Sequence, residues 1–320
     1  MSDVLVFAEH LQGNLTDSTF ELLGKGRELA DATGGNLVAA LFGKGVEGLA
    51  AQMGIADKVV LMEHDNLAEF NPDAYSRSLK AVVQATNPAI ILIPYTSIGM
   101  DLASALSADL DIPLASYVTD VRVEDGKVIT VSQMYGGKIN VEAEIAGNQK
   151  IVSVLAGAFP ADAGKKEGSP AVEKMDAPSD LDDVKVVFKQ LIEPEGGDVD
   201  ITQQDVLVSI GRGIQSEDNI PLAEELAQKL GGAVSASRPI IDNKWLPKSR
   251  QVGKSGLKVK PKLYLALGIS GAPEHIEGMK DAELIIAINA DANAPIFEYA
   301  HYGVVGDLFD IIPALKEKLG

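Results

Sequence analysis

Four short runs, at residues 4–8, 37–42, 58–61 and 90–94, are apolar at nearly every position rather than at every second one. A strand with one wet face alternates apolar and polar residues, whereas a strand without alternation has to be covered on both faces. Between the runs lie stretches with helical periodicity, at 16–33, 73–85 and 101–109. Strand and helix in turn predict a parallel sheet with helices on both faces, because parallel neighbours need a long crossover. The polar cluster Thr16-Asp17-Ser18-Thr19 just before Phe20 predicts the N-cap of the first helix.

The rhythm then breaks and restarts. Residues 120–144 read as a β-meander, with turns at Glu124-Asp125-Gly126-Lys127 and Gly136-Gly137, and 151–155 is one more core strand. Residues 157–183, rich in Gly, Pro, Ala and charge, read as an excursion over the surface, and 184–191 as a further strand. The segment 193–198, Glu-Pro-Glu-Gly-Gly-Asp, is the expected junction between two domains. From 200 the alternation resumes, with strands expected at 205–210, 263–267 and 284–288 and helices at 220–230 and 307–319. The expected division is a domain at 1–192, a hinge linker at 193–199 and a second domain at 200–320, which suits a chain of 320 residues.

Composition narrows the function. A net charge of −18 argues against nucleic acid and anionic membrane surfaces. The absence of cysteine excludes disulfides, thiolate nucleophiles and cysteine-held zinc or iron–sulfur clusters. The longest apolar runs, such as 89–94, are far below the roughly 20 residues of a membrane-spanning helix. The chain enters a strand directly after Met1-Ser2-Asp3, with no basic or apolar leader, so the expectation is a cytoplasmic, bacterial protein.

Two glycine-rich turns stand at expected strand ends, 211–213 and 268–271, and a third, 303–306, leads into the closing helix. Ligands of open α/β sheets bind beyond the carboxyl ends of the strands, so the second domain is the place to look. Gly211-Arg212-Gly213-Ile214-Gln215-Ser216 opens like G-x-G-x-x-G but lacks the third glycine and the later ribose acid, and could equally be a tight strand-to-helix turn. Arg212 stands where a diphosphate would meet a helix N-terminus. Gly253-Lys254-Ser255 resembles the tail of a P-loop, but Lys248 occupies the first glycine position and no strand precedes it. The donor-rich segment 248–256 is either a ligand loop or a solvated basic loop. No two of His10, His64, His275 and His301 have metal-ligand spacing, and no nucleophile elbow or Ser-His-Asp set is present. Arg238 could stack on a ring system or form a surface ion pair.

In order along the chain, several stretches resemble the electron transfer flavoprotein alpha subunit. They are Gly211-Arg212-Gly213, Ala236-Ser237-Arg238, Trp245-Leu246-Pro247, Arg250-Gln251-Val252-Gly253, the run 263–275, Ala287-Ile288-Asn289, Ala294-Pro295-Ile296-Phe297 and the run 302–308. The N-terminal half is similar more loosely, through 4–9 and Ala158-Phe159-Pro160. The resemblance implies an α/β fold of two domains. One is an N-terminal parallel-sheet, adenine-nucleotide-hydrolase-like domain. The other is a C-terminal flavodoxin-like or deoxyhypusine-synthase-like domain that binds FAD. It implies an electron carrier without its own substrate, paired as a heterodimer with a beta subunit holding AMP. The donor would be a flavin dehydrogenase of acyl-CoA, dimethylglycine or trimethylamine type, and the acceptor a quinone oxidoreductase. No nucleic acid, metal or membrane insertion enters this picture.

By position, the resemblance places Arg212, Asn289, Asp307 and Leu308 around the ADP part of FAD. Ser237 and the backbone at Ser270-Gly271 would meet the diphosphate and ribityl chain. Arg238 would lie over the isoalloxazine, Ser255 would offer its hydroxyl to N5, and His275 would approach the pyrimidine end near O2. The remaining expected contacts are Gln251, Val252, Gly253, Lys254, Ala272, Pro273 and Glu274. Positive charge near N1 and O2 would raise the one-electron potential. Pro273-Glu274 stands where the family has a β-branched residue and Gln, Ser255 where Thr is usual, and Lys254 where Gln is common. Two other readings stay open from the residues alone. One is a nicotinamide-dependent oxidoreductase or deoxyhypusine-synthase-like protein. The other is an adenine-nucleotide-binding regulatory protein using the first domain.

Overall fold

In the computed structural model, which describes residues 3–135, 138–191 and 199–319, the four unalternating runs are buried strands. Residues 1–190 and 191–320 form two compact units. In the first unit, β1 (Val4–Phe7) is followed by a two-residue hairpin of β2 (His10–Leu11) and β3 (Asn14–Leu15). Then come α1 (Asp17–Thr33), β4 (Leu37–Gly43), β5 (Lys58–Glu63), α2 (Pro72–Thr86), β6 (Ile90–Tyr95) and α3 (Ser97–Leu110). The expected N-cap is Thr16, whose side chain accepts from the Thr19 N–H. Asn71 and Thr96 cap α2 and α3 in the same way. α3 starts at Ser97, four residues before the expected 101, because its cap, Thr96, precedes the visible apolar stripe.

The meander is β7 (Leu114–Glu124), β8 (Lys127–Met134) and β9 (Ile139–Glu144), antiparallel throughout, and β7 begins six residues before the expected 120. Asp125 and Gly126 both have positive φ, as a two-residue hairpin of the favoured twist requires. The expected turn at Gly136-Gly137 lies outside the described residues. β10 (Lys150–Leu155) and β11 (Ala171–Lys174) complete a nine-stranded sheet in the order β11-β5-β4-β1-β6-β10-β7-β8-β9, parallel through its first seven strands. β4 and β6 flank β1 on opposite sides, so the strand order reverses there. Helical apolar faces cover both sheet faces, α1 over one and α2 with α3 over the other.

Two expectations need correction here. The excursion 157–183 contains β11, a strand laid on the β5 edge. Its four residues are all exposed, so it has no burial pattern to read. Residues 184–191, expected as a strand, have no regular structure. Side chains rather than a ladder hold them: the Asp73 carboxylate accepts the Lys185 N–H and Asn71 donates to the Val186 carbonyl. The expected hinge at 193–198 lies outside the described residues.

The second unit runs β12 (Val206–Ile210), α4 (Ile220–Lys229), β13 (Ala233–Ala236), α5 (Arg238–Asp242), β14 (Leu263–Leu267), α6 (Pro273–Met279), β15 (Leu284–Asn289), β16 (Tyr302–Val305) and α7 (Leu308–Lys318). Its five strands are all parallel, in the order β13-β12-β14-β15-β16. Counted within the unit, that order is 2-1-3-4-5, the flavodoxin-like one, with its switch point between β12 and β14. β13, α6 and β16 were not expected from the sequence, and the glycine turn expected at 303–306 begins inside β16.

Candidate functional site

The switch point of the second unit opens into a cavity of about 800 Å³. That falls within the roughly 300–1,000 Å³ typical of small-molecule and cofactor sites. Its floor is the pair of glycine turns after β12 and β14. The turns hold each other: Gly211 N donates to Leu267 O at 2.9 Å and Gly213 N to Gly268 O at 3.0 Å. The backbone N–H groups from Ile269 to Ala272 make no hydrogen bond among the described residues, and Ser270 to Ala272 line the cavity. Such donors suit an anion. Asn289 at the end of β15 ties the floor together, donating to Ile269 O and accepting from Asp291 N.

One wall is the loop after α5. Val252 N donates to Ala236 O, which docks the loop on the end of β13, and Lys254 N donates to Glu274 O, which ties it to α6. Gly253 has φ +137°, and a Cβ there would stand 2.8 Å from Glu274 O, so only glycine lets loop and helix meet. Gln251, buried, donates through Nε2 to Ser255 Oγ at 2.8 Å. A serine oxygen that accepts from Gln251 keeps its own hydrogen for a further acceptor. Ser237 is the N-cap residue of α5, yet its hydroxyl does not cap the helix.

The charged groups on the lining are Arg212, Arg238 and Lys254 against Asp242, Glu274 and Asp291. Formal charge thus balances locally in a chain of −18, so the cavity is spared the acidity of the rest. Arg238 begins α5, is 70% exposed and pairs with Asp242 one turn on, Nε to Oδ2 at 3.3 Å. It is at once a surface ion pair and a cavity residue.

His275, on α6, lines the cavity but is buried, and both ring nitrogens are engaged. Nδ1 is 3.1 Å from Val252 O and Nε2 is 2.9 Å from the Tyr264 hydroxyl. Burial pulls its pKa down to about 4, against the smaller upward pull of the Val252 carbonyl. The ring is desolvated and, among the described residues, has no carboxylate in hydrogen-bond range, so its surroundings favour the neutral form.

All the expected contact residues line this cavity except Pro273, Asp307 and Leu308. Pro273 is the first residue of α6. Asp307 caps α7, accepting from Phe309 N at 2.9 Å, and Leu308, the first residue of that helix, is buried in the core. Sequence reasoning missed Asp242, Asp291 and Pro239 in the lining. The i,i+4 spacing of Arg238 and Asp242 was the available signal for the first.

The first unit has its own switch point, between β1 and β6, and a carboxylate occupies it. Glu9 is 4% exposed and accepts the Thr96 hydroxyl hydrogen at 2.5 Å. Burial raises its pKa, with the Thr96 bond opposing. A buried acid at this position repels phosphate, which weakens the reading of a nucleotide-binding regulatory protein. Among the described residues, no helix is long and apolar enough to cross a membrane.

Residues 4–180 match the electron transfer flavoprotein domain and residues 200–280 the electron transfer flavoprotein FAD-binding domain. The chain is 37% identical to the electron transfer flavoprotein subunit alpha of Syntrophomonas wolfei, over 100% of this chain and 99% of that one. It is equally 37% identical to the same subunit of Methylophilus methylotrophus, again over 100% and 99%. A third relative, 37% identical over 99% of this chain and 95% of its own, is the acryloyl-CoA reductase electron transfer subunit beta of Anaerotignum propionicum.

Proposed function

The chain belongs to the electron transfer flavoprotein alpha subunit family, and from that premise we propose that it holds FAD in the cavity at the β12/β14 switch point and carries electrons between other redox proteins. The observation that carries this reading is the convergence of Arg212, Ser237, Gln251, Ser255, Ser270 and Asn289, from five separate segments, on one cavity. When bound, the flavin supplies the redox chemistry in one- and two-electron steps. The residues present fit such a group. The glycine turns bring unbonded N–H groups to where a diphosphate would lie, with Arg212 beside them. Ser255 has a hydroxyl hydrogen free for a ring nitrogen acceptor such as N5, because Gln251 occupies its oxygen. Arg238 reaches the cavity as a planar cation able to lie against a ring that gains charge on reduction.

The partner in this reading is a beta subunit with AMP bound. The donor is a flavin dehydrogenase of acyl-CoA, dimethylglycine or trimethylamine type, and the acceptor a quinone oxidoreductase. The relative named for acryloyl-CoA reductase supports a second arrangement, in which the carrier serves an acyl-CoA reductase instead. The test is the visible spectrum of this chain purified with a beta-type partner, with the cofactor released and weighed. One FAD per chain and flavin bands are expected. A colourless complex that retains nicotinamide or adenine nucleotide overturns the reading.

A further inference from the structure

The segment that carries Ser255 is a tight turn, locked on two sides. Within it, Gly256 N donates to Gly253 O at 2.9 Å, Gly253 N to Leu257 O at 3.1 Å and Leu257 N to Gln251 O at 2.7 Å. Its other side lies on α6, backbone to backbone. Lys254 N donates to Glu274 O at 2.7 Å, and a Cβ built on Gly278 would stand 2.4 Å from Gly253 N. Contacts of that kind cannot yield by a side chain swinging aside, so turn and helix make one rigid piece of the cavity wall.

Two opposite charges leave that piece from the same junction. Lys254 and Glu274 are both exposed, and both line the cavity. The bond between the two residues is a main-chain one, so replacing either side chain leaves the junction in place. Their origins are fixed a hydrogen bond apart, and the two charges form a short dipole in the wall. The field of such a pair largely cancels at a distance and is felt only close by. The other charges of the lining are placed differently. Arg238 has Asp242 as a counter-ion on its own helix, while Arg212 follows β12 and Asp291 follows β15.

We propose that Lys254 and Glu274 are an opposed pair of tuning residues: from one rigid stretch of the cavity wall the ammonium raises the one-electron potential of the bound flavin, the carboxylate lowers it, and the potential reports their difference. Reduction adds negative charge to the ring. A nearby cation favours the reduced form and a nearby anion disfavours it. Ser255 is the next residue after Lys254 in the turn, and its hydroxyl has a hydrogen to offer a ring nitrogen. A ring held by that hydroxyl lies within reach of the ammonium. Both charges are exposed, so salt weakens both effects. This inference rests on the cavity's being the FAD site.

The test uses the FAD-loaded complex with the beta-type partner and three variants: Lys254→Gln, Glu274→Gln and the two together. Reductive titration at low salt reads the one-electron potential, and a thermal melt and the flavin content serve as structural controls. Each single variant should change the one-electron equilibrium constant by about three- to tenfold, as for a partly screened unit charge within roughly 10 Å. Tenfold corresponds to about 59 mV for one electron. Lys254→Gln should lower the potential and Glu274→Gln should raise it. The double variant should fall between the two, and all the shifts should shrink at about 0.5 M salt. Melt and flavin content should stay as in the wild type, because the main-chain junction is untouched. A merely structural role would move those two controls, and would not move the potential in opposite directions. Single variants that shift the potential the same way, or a fully flavin-loaded set with equal potentials, overturn this inference alone. A complex without flavin overturns the reading of the cavity, and this inference with it.

Discussion

The amide of Gly213 donates to the carbonyl of Gly268 across 3.0 Å, and a Cβ built on either residue would stand 2.6 Å from the Cα of the other. Two turns, 55 residues apart in the chain by their numbers, thus touch backbone to backbone at the switch point. Gly268 also has φ +63°, a region that side chains resist. Glycine is needed here for contact between the loops.

Replacing Gly213 by alanine should therefore separate the turns. The clash is with backbone, which cannot swing aside as a side chain does. A cost of about 1–3 kcal/mol is expected, as for other overpacked sites. Flavin content should fall more than the melting temperature does, because the turns form the floor of the cavity. FAD per chain and a thermal melt, taken together, check this. A variant with full flavin and an unchanged melt would show that the turns move apart at no cost.

Arg238→Ala should leave folding intact. The Arg238–Asp242 pair is exposed, and such pairs contribute roughly 0–1 kcal/mol. FAD should be retained, while the one-electron potential falls by an amount equivalent to about 1.5–3 kcal/mol, the range for a hydrogen bond to a charged group. Asp242→Asn should shift it the other way, because it frees the guanidinium. Reductive titration of both variants decides the matter, and equal potentials in all three proteins would remove Arg238 from the flavin's surroundings.

The two parallel sheets were legible because Val4 to Phe7 or Leu37 to Phe42 bury every residue, which no other arrangement explains as simply. β13 and β16 were not, since four residues cannot display a period and Tyr302 to Val305 are all exposed. α6 was read as the exit of a turn, although Pro273 at its first position was a helix-start signal. Site membership came through motif order, with Ser237, Ser255 and Asn289 each in the lining. The charge state of His275 was hidden, because burial sets it, with the carbonyl of Val252, 23 residues away, pulling the other way. Burial of a polar side chain is decided by tertiary packing, and no local pattern encodes it.

Glu9→Gln should stabilise the first unit at neutral and alkaline pH. The carboxyl's pKa is raised, chiefly by burial, so its favourable state is the protonated one. That contribution is present below the ordinary value of 4.5 and is lost as pH rises through the raised one. Glutamine keeps an oxygen for the Thr96 hydroxyl and has no charge to desolvate. A gain of about 1 kcal/mol at pH 8, shrinking toward pH 4, is expected. Urea unfolding followed at the two pH values would show it, and a variant less stable at both would mean that the ionised carboxylate has a partner that glutamine cannot replace.

His275 gives the second unit a pH dependence of the opposite sense. Its folded pKa of about 4 lies below the ordinary 6.5, so below 6.5 the unfolded chain takes up a proton that the folded chain refuses. The stabilisation is whole above 6.5, shrinks as pH falls, and is gone below about 4. At roughly 1.4 kcal/mol per unit, the amount at stake is about 3 kcal/mol. Generic carboxylate titration overlaps the lower end of this window, so the informative quantity is a difference. His275→Gln lacks the titration, and its stability gap from the wild type should be constant from pH 8 to about 6.5 and narrow steadily below. Hydrogen exchange of the β14 amides, corrected for intrinsic rates, reads that gap within the second unit alone. A gap that stays constant down to pH 4.5 would mean that the folded protein protonates His275 as readily as the unfolded chain does.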